Sequence, residues 1–353
     1  MGPRQVGKTT LLKELELQMK HRALLWNGDD ADVRMALAKP SLSRIKSLIG
    51  QSKALIIDEA QRIENIGLTI KLITDNLPVK VLASGSSAFE LANRINEPLT
   101  GRKWEFMMYP LSYVEMVQHT SLLEERGLLN HRLVYGYYPE VVTSAGKETE
   151  LLKQLAGSYL YKDLLTWEKI FKPEKLEKLV QAIAFQLGSE VSYFELGQMT
   201  GLDNETVERY VMLLERAFII FRLGTFSRNL RGELKRARKI YFYDNGLRNA
   251  VINQFNPLEL RNDKGALWEN FLISERQKFL HYNQHHRSIF FWRTQAQQEI
   301  DYVEDYDGKI AAFEFKWNKK AKAFFPRPFL EAYPGATTDI ITPENFEGFL
   351  GIV

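Results

Sequence analysis

The 353-residue sequence contains no cysteine, and this absence removes several chemistries at once. Disulfide bridges, cysteine nucleophiles, thiolate-bound zinc and iron–sulfur clusters all require cysteine side chains. Long apolar runs are missing too: no stretch approaches the roughly 18 residues that a membrane helix needs. The amino terminus, MGPRQVGKTT, lacks the apolar core of a signal peptide. We therefore expect a cytoplasmic protein with no membrane partner.

Repeats of fixed period and low-complexity tracts are also absent, which excludes solenoids and linker-rich chains. The hydrophobic fraction of 45% and the charged fraction of 26% are those of a folded chain. The length predicts about two or three domains.

Net charge is small, because 47 basic residues face 44 acidic ones, which gives +3. Totals of this kind do not predict nucleic-acid binding, so only local clusters are informative. One basic cluster lies between residues 228 and 239, with Glu233 as its only acid. We expect it to suit the phosphate backbone of DNA, although a solvated surface is the ordinary alternative. Its members are Arg228, Arg231, Lys235, Arg236, Arg238 and Lys239.

Apolar periodicity predicts an α/β chain with four segments. Residues 1–108 alternate short buried strands, at 53–58 and 79–83, with helical patterns, which is typical of a parallel, helix-covered sheet. Residues 109–190 are mostly helical and are interpreted as a lid or connector. Two further segments, 191–225 and 226–353, complete the chain.

The third segment has the pattern of a winged helix-turn-helix, with Gly201 in the turn and Asp203 capping the next helix. Acidic residues on its second helix disfavour base reading there, so we interpret it as a packing or protein-contact module. The last segment is predicted to be a separate α/β domain, with a helix at 265–279 and strands at 240–243, 289–292, 300–303 and 310–315.

Residues 2–9, GPRQVGKT, match the pattern G-x-x-x-x-G-K-[ST] without a mismatch. Glycines let backbone N–H groups approach phosphates, Lys8 places a positive charge on the β and γ oxygens, and Thr9 offers a hydroxyl to magnesium. A glycine turn before a helix with a solvated lysine is the weaker alternative. The candidate nucleotide-binding residues are Gly2, Gly7, Lys8, Thr9, Thr10 and Ser84.

Asp58 and Glu59 end the apolar strand at 53–58 and form a second motif. A carboxylate at this position can hold magnesium, as Thr9 can, and the adjacent Glu59 can orient or deprotonate the attacking water. Ser84 follows the next strand and is placed to sense the γ-phosphate. Arg102 is a candidate arginine finger, acting within the chain or across a homo-oligomer interface, with a solvated arginine as the alternative.

The segments GPRQVGKTT, LIIDEAQ, SGSS, LTGR and YPLSYVE, in this order, resemble uncharacterised prokaryotic ATPases of the AAA+ and STAND type. YGYYPEVV, SYLYKDLL, YFYDNGLRNAV, GALWENFLISE and FFWRTQAQQEIDYVE extend the resemblance over most of the chain. It implies ATP and Mg²⁺ as cofactors, and ATP hydrolysis. It also implies that Lys8 and Thr9 are Walker A residues and that Asp58 and Glu59 are the Walker B pair.

One departure from those ATPases concerns the strand that normally enters the P-loop, since here the motif begins at residue 2. Either a strand is missing from the chain or another segment takes its place. Without such a replacement the neighbouring strands lose backbone partners and buried area. We then expect weak or absent ATP binding.

Glu269, Asp301, Glu314 and Lys316 follow the order E…D…E-x-K, which resembles the PD-(D/E)XK nuclease superfamily and its restriction-endonuclease-like fold. Side chains repeat every two residues along a strand, so Glu314 and Lys316 share a face. Asp301 and Glu314 are the candidate ligands for magnesium, and the lysine would stabilise charge at a scissile phosphate. A degenerate fold with ordinary salt bridges is the alternative.

Together these patterns predict an ATPase domain acting with a nuclease-like domain on DNA. The rival hypothesis is a nucleotide-dependent regulatory switch whose last domain binds a protein or DNA partner without cleavage.

Overall fold

The chain folds as two compact units, the first formed by Met1–Tyr109 with Arg216–Phe218 and the second by Pro110–Glu215 with Ile219–Val353. Both combine helices with a β-sheet, so the predicted α/β class is confirmed. None of the helices in the described part of the chain is both long and apolar enough to cross a membrane. The computed structural model describes residues 1–19, 22–39, 41–85, 101–158, 173–227, 238–294, 296–318, 320 and 324–352.

The first unit contains a three-stranded parallel sheet with β1 (Ala23–Asn27), β2 (Ala54–Asp58) and β3 (Lys80–Ala83) in that spatial order. All five residues of β2 are buried, as expected for a central parallel strand covered on both faces. The strands predicted at 53–58 and 79–83 are confirmed, each starting one residue later. Asp58 therefore lies at the carboxyl end of the central strand.

Four α-helices are described in the first unit. The side chains of Asp30 and Ser41 cap α2 and α3 by accepting hydrogen bonds from the backbone N–H groups of Asp32 and Arg44. The core between sheet and helices is almost entirely aliphatic, with Leu55, Ile57, Ile66, Ile70 and Ile73 each at most 5% exposed. The helices are α1 (Lys8–Gln18), α2 (Ala31–Ala38), α3 (Leu42–Ile49) and α4 (Ile66–Asn76).

A segment near residue 106 supports the start of the P-loop. The amino group of Met1 donates to the carbonyl oxygen of Phe106 over 2.6 Å, and the Met108 N–H donates to the Met1 carbonyl over 2.8 Å. A Cβ on Gly2 would lie 1.9 Å from the Met108 carbonyl oxygen, so glycine is needed for this close approach. Phe106 and Met108 thus hydrogen-bond to the backbone immediately before the P-loop.

The second unit contains a mixed sheet of seven described strands, in the spatial order β10-β9-β8-β7-β5-β6-β4. Strands β7, β8 and β9 are antiparallel neighbours, whereas β10 runs parallel to β9 and β5 runs parallel to β7. The strands are β4 (Glu190–Val191), β5 (Ile220–Thr225), β6 (Arg238–Phe242), β7 (Ser288–Arg293), β8 (Glu299–Tyr306), β9 (Lys309–Phe315) and β10 (Thr337–Ile341).

The long helix α14 (Lys264–Tyr282) contacts β6 and β9. Trp268 on α14 is fully buried, and its ring centroid lies 5.3 Å from that of Phe346. From residue 110 onward the described helices are α5 (Tyr113–His119), α6 (Leu122–Gly127), α7 (Leu129–Tyr135), α8 (Pro139–Thr143), α9 (Glu148–Ser158), α10 (Pro173–Phe185), α11 (Tyr193–Thr200), α12 (Asn204–Arg216), α13 (Asn245–Val251), α14 (Lys264–Tyr282), α15 (Arg327–Ala332) and α16 (Phe346–Phe349).

Helices α11 (Tyr193–Thr200) and α12 (Asn204–Arg216) lie at the residues where the sequence predicts a helix-turn-helix. Gly201 ends α11 in the left-handed conformation with φ +66°, and Asp203 accepts a hydrogen bond of 2.8 Å from the Thr206 N–H. The following strand β5, however, pairs with both β6 and β7. The sheet thus continues across the predicted boundary at 225/226, because an isolated wing strand would leave its backbone groups without partners.

Candidate functional site

In the first unit, the P-loop leads directly into α1. Gly7 adopts the left-handed conformation with φ +94°, and α1 begins at Lys8. The amino terminus of a helix has unsatisfied N–H groups and a partial positive charge, so it favours an anion. Lys8 is buried, and its Nζ donates to the carbonyl oxygens of Gly2, over 2.9 Å, and Pro3. The loop therefore closes around a lysine ammonium.

Asp58 connects this loop to the sheet. The Thr9 hydroxyl donates to Asp58 Oδ2 over 2.6 Å, and the Ser84 hydroxyl donates to Asp58 Oδ1. Three residues predicted separately from sequence are therefore brought together by hydrogen bonds. A carboxylate next to a threonine hydroxyl provides the hard oxygen donors that Mg²⁺ prefers, so these residues fit that ion.

Glu59 has a strained backbone, with φ +49°. Its Oε2 accepts a hydrogen bond of 2.5 Å from Gln61 Nε2. Gly28 lies against the same turn, since a Cβ there would be 2.3 Å from the Glu59 carbonyl oxygen. Gln61 and Gly28 were not singled out from the sequence, although Gln61 belongs to the quoted segment LIIDEAQ.

Two other predicted residues of the first unit lie at the surface. Thr10 is exposed on the first turn of α1. Arg102 is also exposed, and its Nη1 forms an ion pair of 2.7 Å with Asp75 Oδ1. The arginine-finger role and the homo-oligomer that would use it stay predictions.

In the second unit, the acid and lysine residues predicted on β8 and β9 also meet. Lys316 Nζ lies 2.7 Å from Glu314 Oε2 and 3.7 Å from Asp301 Oδ2. The backbone N–H of Phe315 donates to the same Asp301 oxygen over 2.8 Å. These contacts confirm that Glu314 and Lys316 share a face.

Glu269, on α14, has a set of partners that the sequence did not predict. Its Oε1 accepts hydrogen bonds from Lys239 Nζ over 3.0 Å and from the Tyr241 hydroxyl over 2.6 Å. Lys239 Nζ also lies 2.5 Å from Glu299 Oε1. The available sequence signal was the spacing of Lys239 and Tyr241, two positions apart on β6, which places both on one face of that strand.

Burial changes the proton affinities of this cluster. It raises the pKa of Glu314 to about 7, with the charge of Asp301 adding to the increase and Lys316 opposing it. It also raises the pKa of Glu269 to about 7, against the opposing effect of Lys239. For Lys239 itself, burial acts to lower the pKa, but the charges of Glu269 and Glu299 outweigh it and raise that pKa.

The carboxylates do not surround a common point. Within the described ranges, no group of three or more histidine, aspartate or glutamate side chains is arranged to hold one metal ion. Lys316 forms ion pairs with both Asp301 and Glu314. Glu269 instead accepts hydrogen bonds from Lys239 and Tyr241.

The predicted DNA-binding cluster is corrected at one position. Lys239 is 1% exposed and ion-paired, so it cannot present its charge to a phosphate backbone. Arg238 is partly exposed, and its guanidinium lies 4.5 Å from the centre of the Tyr193 ring. The other four members, Arg228, Arg231, Lys235 and Arg236, lie outside the described residues.

Comparison with protein families matches three separate parts of the chain. Residues 1–117 match the family described as an AAA domain. Residues 126–258 and 264–346 match two families described as domains of unknown function, DUF8612 and DUF4143. The first match implies nucleotide binding by the P-loop domain, and the function of the carboxyl-terminal part stays open.

Similar curated proteins come from distant organisms. The chain is 26% identical to the uncharacterised protein Rv2008c of Mycobacterium tuberculosis, over 89% of this chain and 69% of that protein. An uncharacterised protein of Haemophilus influenzae is 25% identical, over 77% of this chain and 70% of its own length. The uncharacterised protein MJ1637 of Methanocaldococcus jannaschii is 23% identical, over 71% and 61% respectively.

Proposed function

We propose that the chain binds ATP with Mg²⁺ and hydrolyses it at the P-loop of its first unit. The observation that carries this proposal is the pair of hydrogen bonds by which Thr9 and Ser84 converge on Asp58. They bring together the start of α1 and the carboxyl ends of β2 and β3, the edge where parallel sheets bind their ligands. The match to an AAA domain supports the same conclusion.

Each residue has a distinct role in this proposal. Lys8 and the N–H groups at the start of α1 bind the phosphates. Thr9 and Asp58 hold Mg²⁺, which when bound neutralises phosphate charge. Glu59 orients and deprotonates the attacking water, and the hydrogen bond from Gln61 fixes its carboxylate.

ATP turnover by the full chain tests this proposal. Lys8→Ala should abolish turnover and weaken ATP binding, because it removes the charge paired with the β and γ oxygens. Lys13→Ala, an exposed lysine on the same helix, serves as the matched control. Turnover at the wild-type rate in Lys8→Ala would exclude the P-loop as the site. A titration of the wild-type chain with ATP and Mg²⁺ measures the affinity for ATP. It shows whether that affinity is as weak as we expect from the sequence.

For the second unit we propose a site directed at phosphodiester bonds, with DNA as the substrate. The support is the convergence of Asp301, Glu314 and Lys316 at neighbouring strands. In this proposal the two carboxylates hold a divalent ion, which when bound activates water. Lys316 stabilises negative charge on the scissile phosphate.

A nicking assay separates this proposal from partner binding without cleavage. Supercoiled DNA is incubated with the full chain and Mg²⁺ or Mn²⁺, with and without ATP. We expect nicking that disappears in Asp301→Asn and Glu314→Gln but persists in Glu331→Gln, an exposed acid on α15. An inert wild-type chain that still hydrolyses ATP would favour the regulatory switch.

A further inference from the structure

Met108 lies against both glycines of the phosphate-binding motif. A Cβ on Gly2 would lie 1.9 Å from the Met108 carbonyl oxygen, and a Cβ on Gly7 would lie 3.4 Å from Cε, the terminal methyl group of the same methionine. Gly2 and Gly7 are the first and the last glycine of the motif. One residue from a distant part of the sequence therefore contacts the loop at both of its ends.

The backbone of Met108 is held in place at the start of the loop. Its N–H donates to the carbonyl oxygen of Met1 over 2.8 Å. Its carbonyl oxygen comes so close to Gly2 that only a residue without a Cβ leaves room for it. The following residue, Tyr109, is buried. These contacts leave Met108 little freedom to move relative to Gly2.

The two glycines connect Met108 to Lys8. The Lys8 Nζ donates to the Gly2 carbonyl oxygen over 2.9 Å, so the side chain of the lysine is held at one end of the loop. Gly7 directly precedes Lys8 and has the left-handed conformation, with φ +94°. The conformation of Gly7 therefore sets the direction of the first N–H groups of α1, where an anion is favoured.

We propose that Met108 is a positioning residue of the nucleotide-binding loop, which fixes Gly2 through its backbone and Gly7 through its methyl group. The inference rests on the proposed ATP site, because the ligand of this loop is a nucleotide polyphosphate. Met108 acts on the phosphates only through the two glycines. A small displacement of a binding group is enough to weaken its interaction strongly, so a single methyl contact has a measurable effect.

Binding of ADP and ATP with Mg²⁺ to the full chain tests this role. Met108→Ala removes the methyl group beside Gly7 and leaves the backbone contact with Gly2 in place. We expect the Kd of both nucleotides to rise about 10-fold, because the N–H groups of the loop are misdirected. Met108→Leu, a replacement of similar volume, should restore most of the affinity.

Met107→Ala is the matched control. Met107 is partly buried, as Met108 is, but none of its atoms lies within 4 Å of an added Cβ at Gly7. We expect this variant to bind both nucleotides as the wild type does. Equal losses of affinity in the two alanine variants, or wild-type affinity in Met108→Ala, would overturn the inference. If Met108→Ala does not fold, Met108→Val fills more of the space and is compared in the same way.

The backbone of the loop is also measured without nucleotide. Amide ¹H–¹⁵N spectra of the full chain report on Gly7 and Lys8. We expect Met108→Ala to shift both resonances and Met107→Ala to leave them in place, and unshifted resonances in Met108→Ala would contradict the positioning role. If the wild type binds neither nucleotide while Met108→Ala still shifts these resonances, the proposed ATP site is wrong and the role of Met108 in shaping the loop is retained.

Discussion

The hydroxyl of Thr9 donates to Asp58 Oδ2 over 2.6 Å, which joins two motifs 49 positions apart in sequence. Replacing Thr9 by valine keeps the shape of the side chain but removes this donor and an oxygen ligand. We expect the apparent Mg²⁺ affinity in ATP hydrolysis to fall about 10–100-fold. Magnesium titrations of turnover measure this, with Thr9→Ser as the variant that should retain affinity. Equal affinities for the valine and serine variants would contradict the role of the hydroxyl.

Gly28 controls the position of Glu59 through backbone contact. A methyl group at Gly28 would lie 2.3 Å from the Glu59 carbonyl oxygen, so the strained turn must move. We therefore expect Gly28→Ala to reduce ATP turnover more than ATP binding, because Glu59 acts on water and not on the phosphates. Gly127→Ala, where an added Cβ meets nothing within 4 Å, is the control. An unchanged turnover number in Gly28→Ala would show that the turn adapts without cost.

Arg132 and Glu125 form a buried ion pair in the second unit. Two hydrogen bonds, of 2.8 and 3.1 Å, join the guanidinium to a carboxylate that is fully buried. Arg132→Met leaves that carboxylate unpaired, so the free energy of unfolding should fall by about 3–5 kcal/mol. Urea denaturation measures the loss, and adding Glu125→Gln should restore part of it. No recovery in the double variant would mean that the loss comes from packing.

Stability should depend on pH through Glu314. Its pKa is about 7 in the folded chain against an ordinary value of 4.5, because burial and the charge of Asp301 disfavour ionisation. Because the pKa of Glu314 is higher in the folded chain than in the unfolded one, its contribution to the free energy of unfolding is fully present below about pH 4.5. That contribution is lost as the pH rises through 7. At about 1.4 kcal/mol per pH unit the full loss would be about 3.5 kcal/mol, and solvent screening of this carboxylate reduces it to the order of 1–3 kcal/mol.

Glu314→Gln removes this titration, so the variant should lose less stability than the wild type between pH 5 and 8. Denaturation midpoints at several pH values give the comparison, with the exposed Glu331→Gln as control. Parallel pH profiles for wild type and Glu314→Gln would show that the carboxyl group ionises normally in the folded chain.

Local patterns in the sequence were sufficient to predict most of the strands and helices near the candidate sites. The strand endings at Asp58 and Ser84, and the alternation at Glu314 and Lys316, follow from periodicity alone. The edge strand β10 was missed, because its residues are largely exposed and lack a continuous apolar run. The pairing of β5 with β6 and β7 across position 225/226 was not predicted, since hydrogen bonding between distant strands leaves no local signal.

The sequence by itself determined the P-loop, the acids at the strand ends and the α/β class, because these depend on residue types at short, regular spacings. Only the tertiary structure decided which partners those residues take. Lys239 belongs to a basic run in sequence, yet it is buried between Glu269 and Glu299. The physical reason is that a buried charge must be paired, and strands β6 and β8 and helix α14 bring its partners together from 30 and 60 positions away.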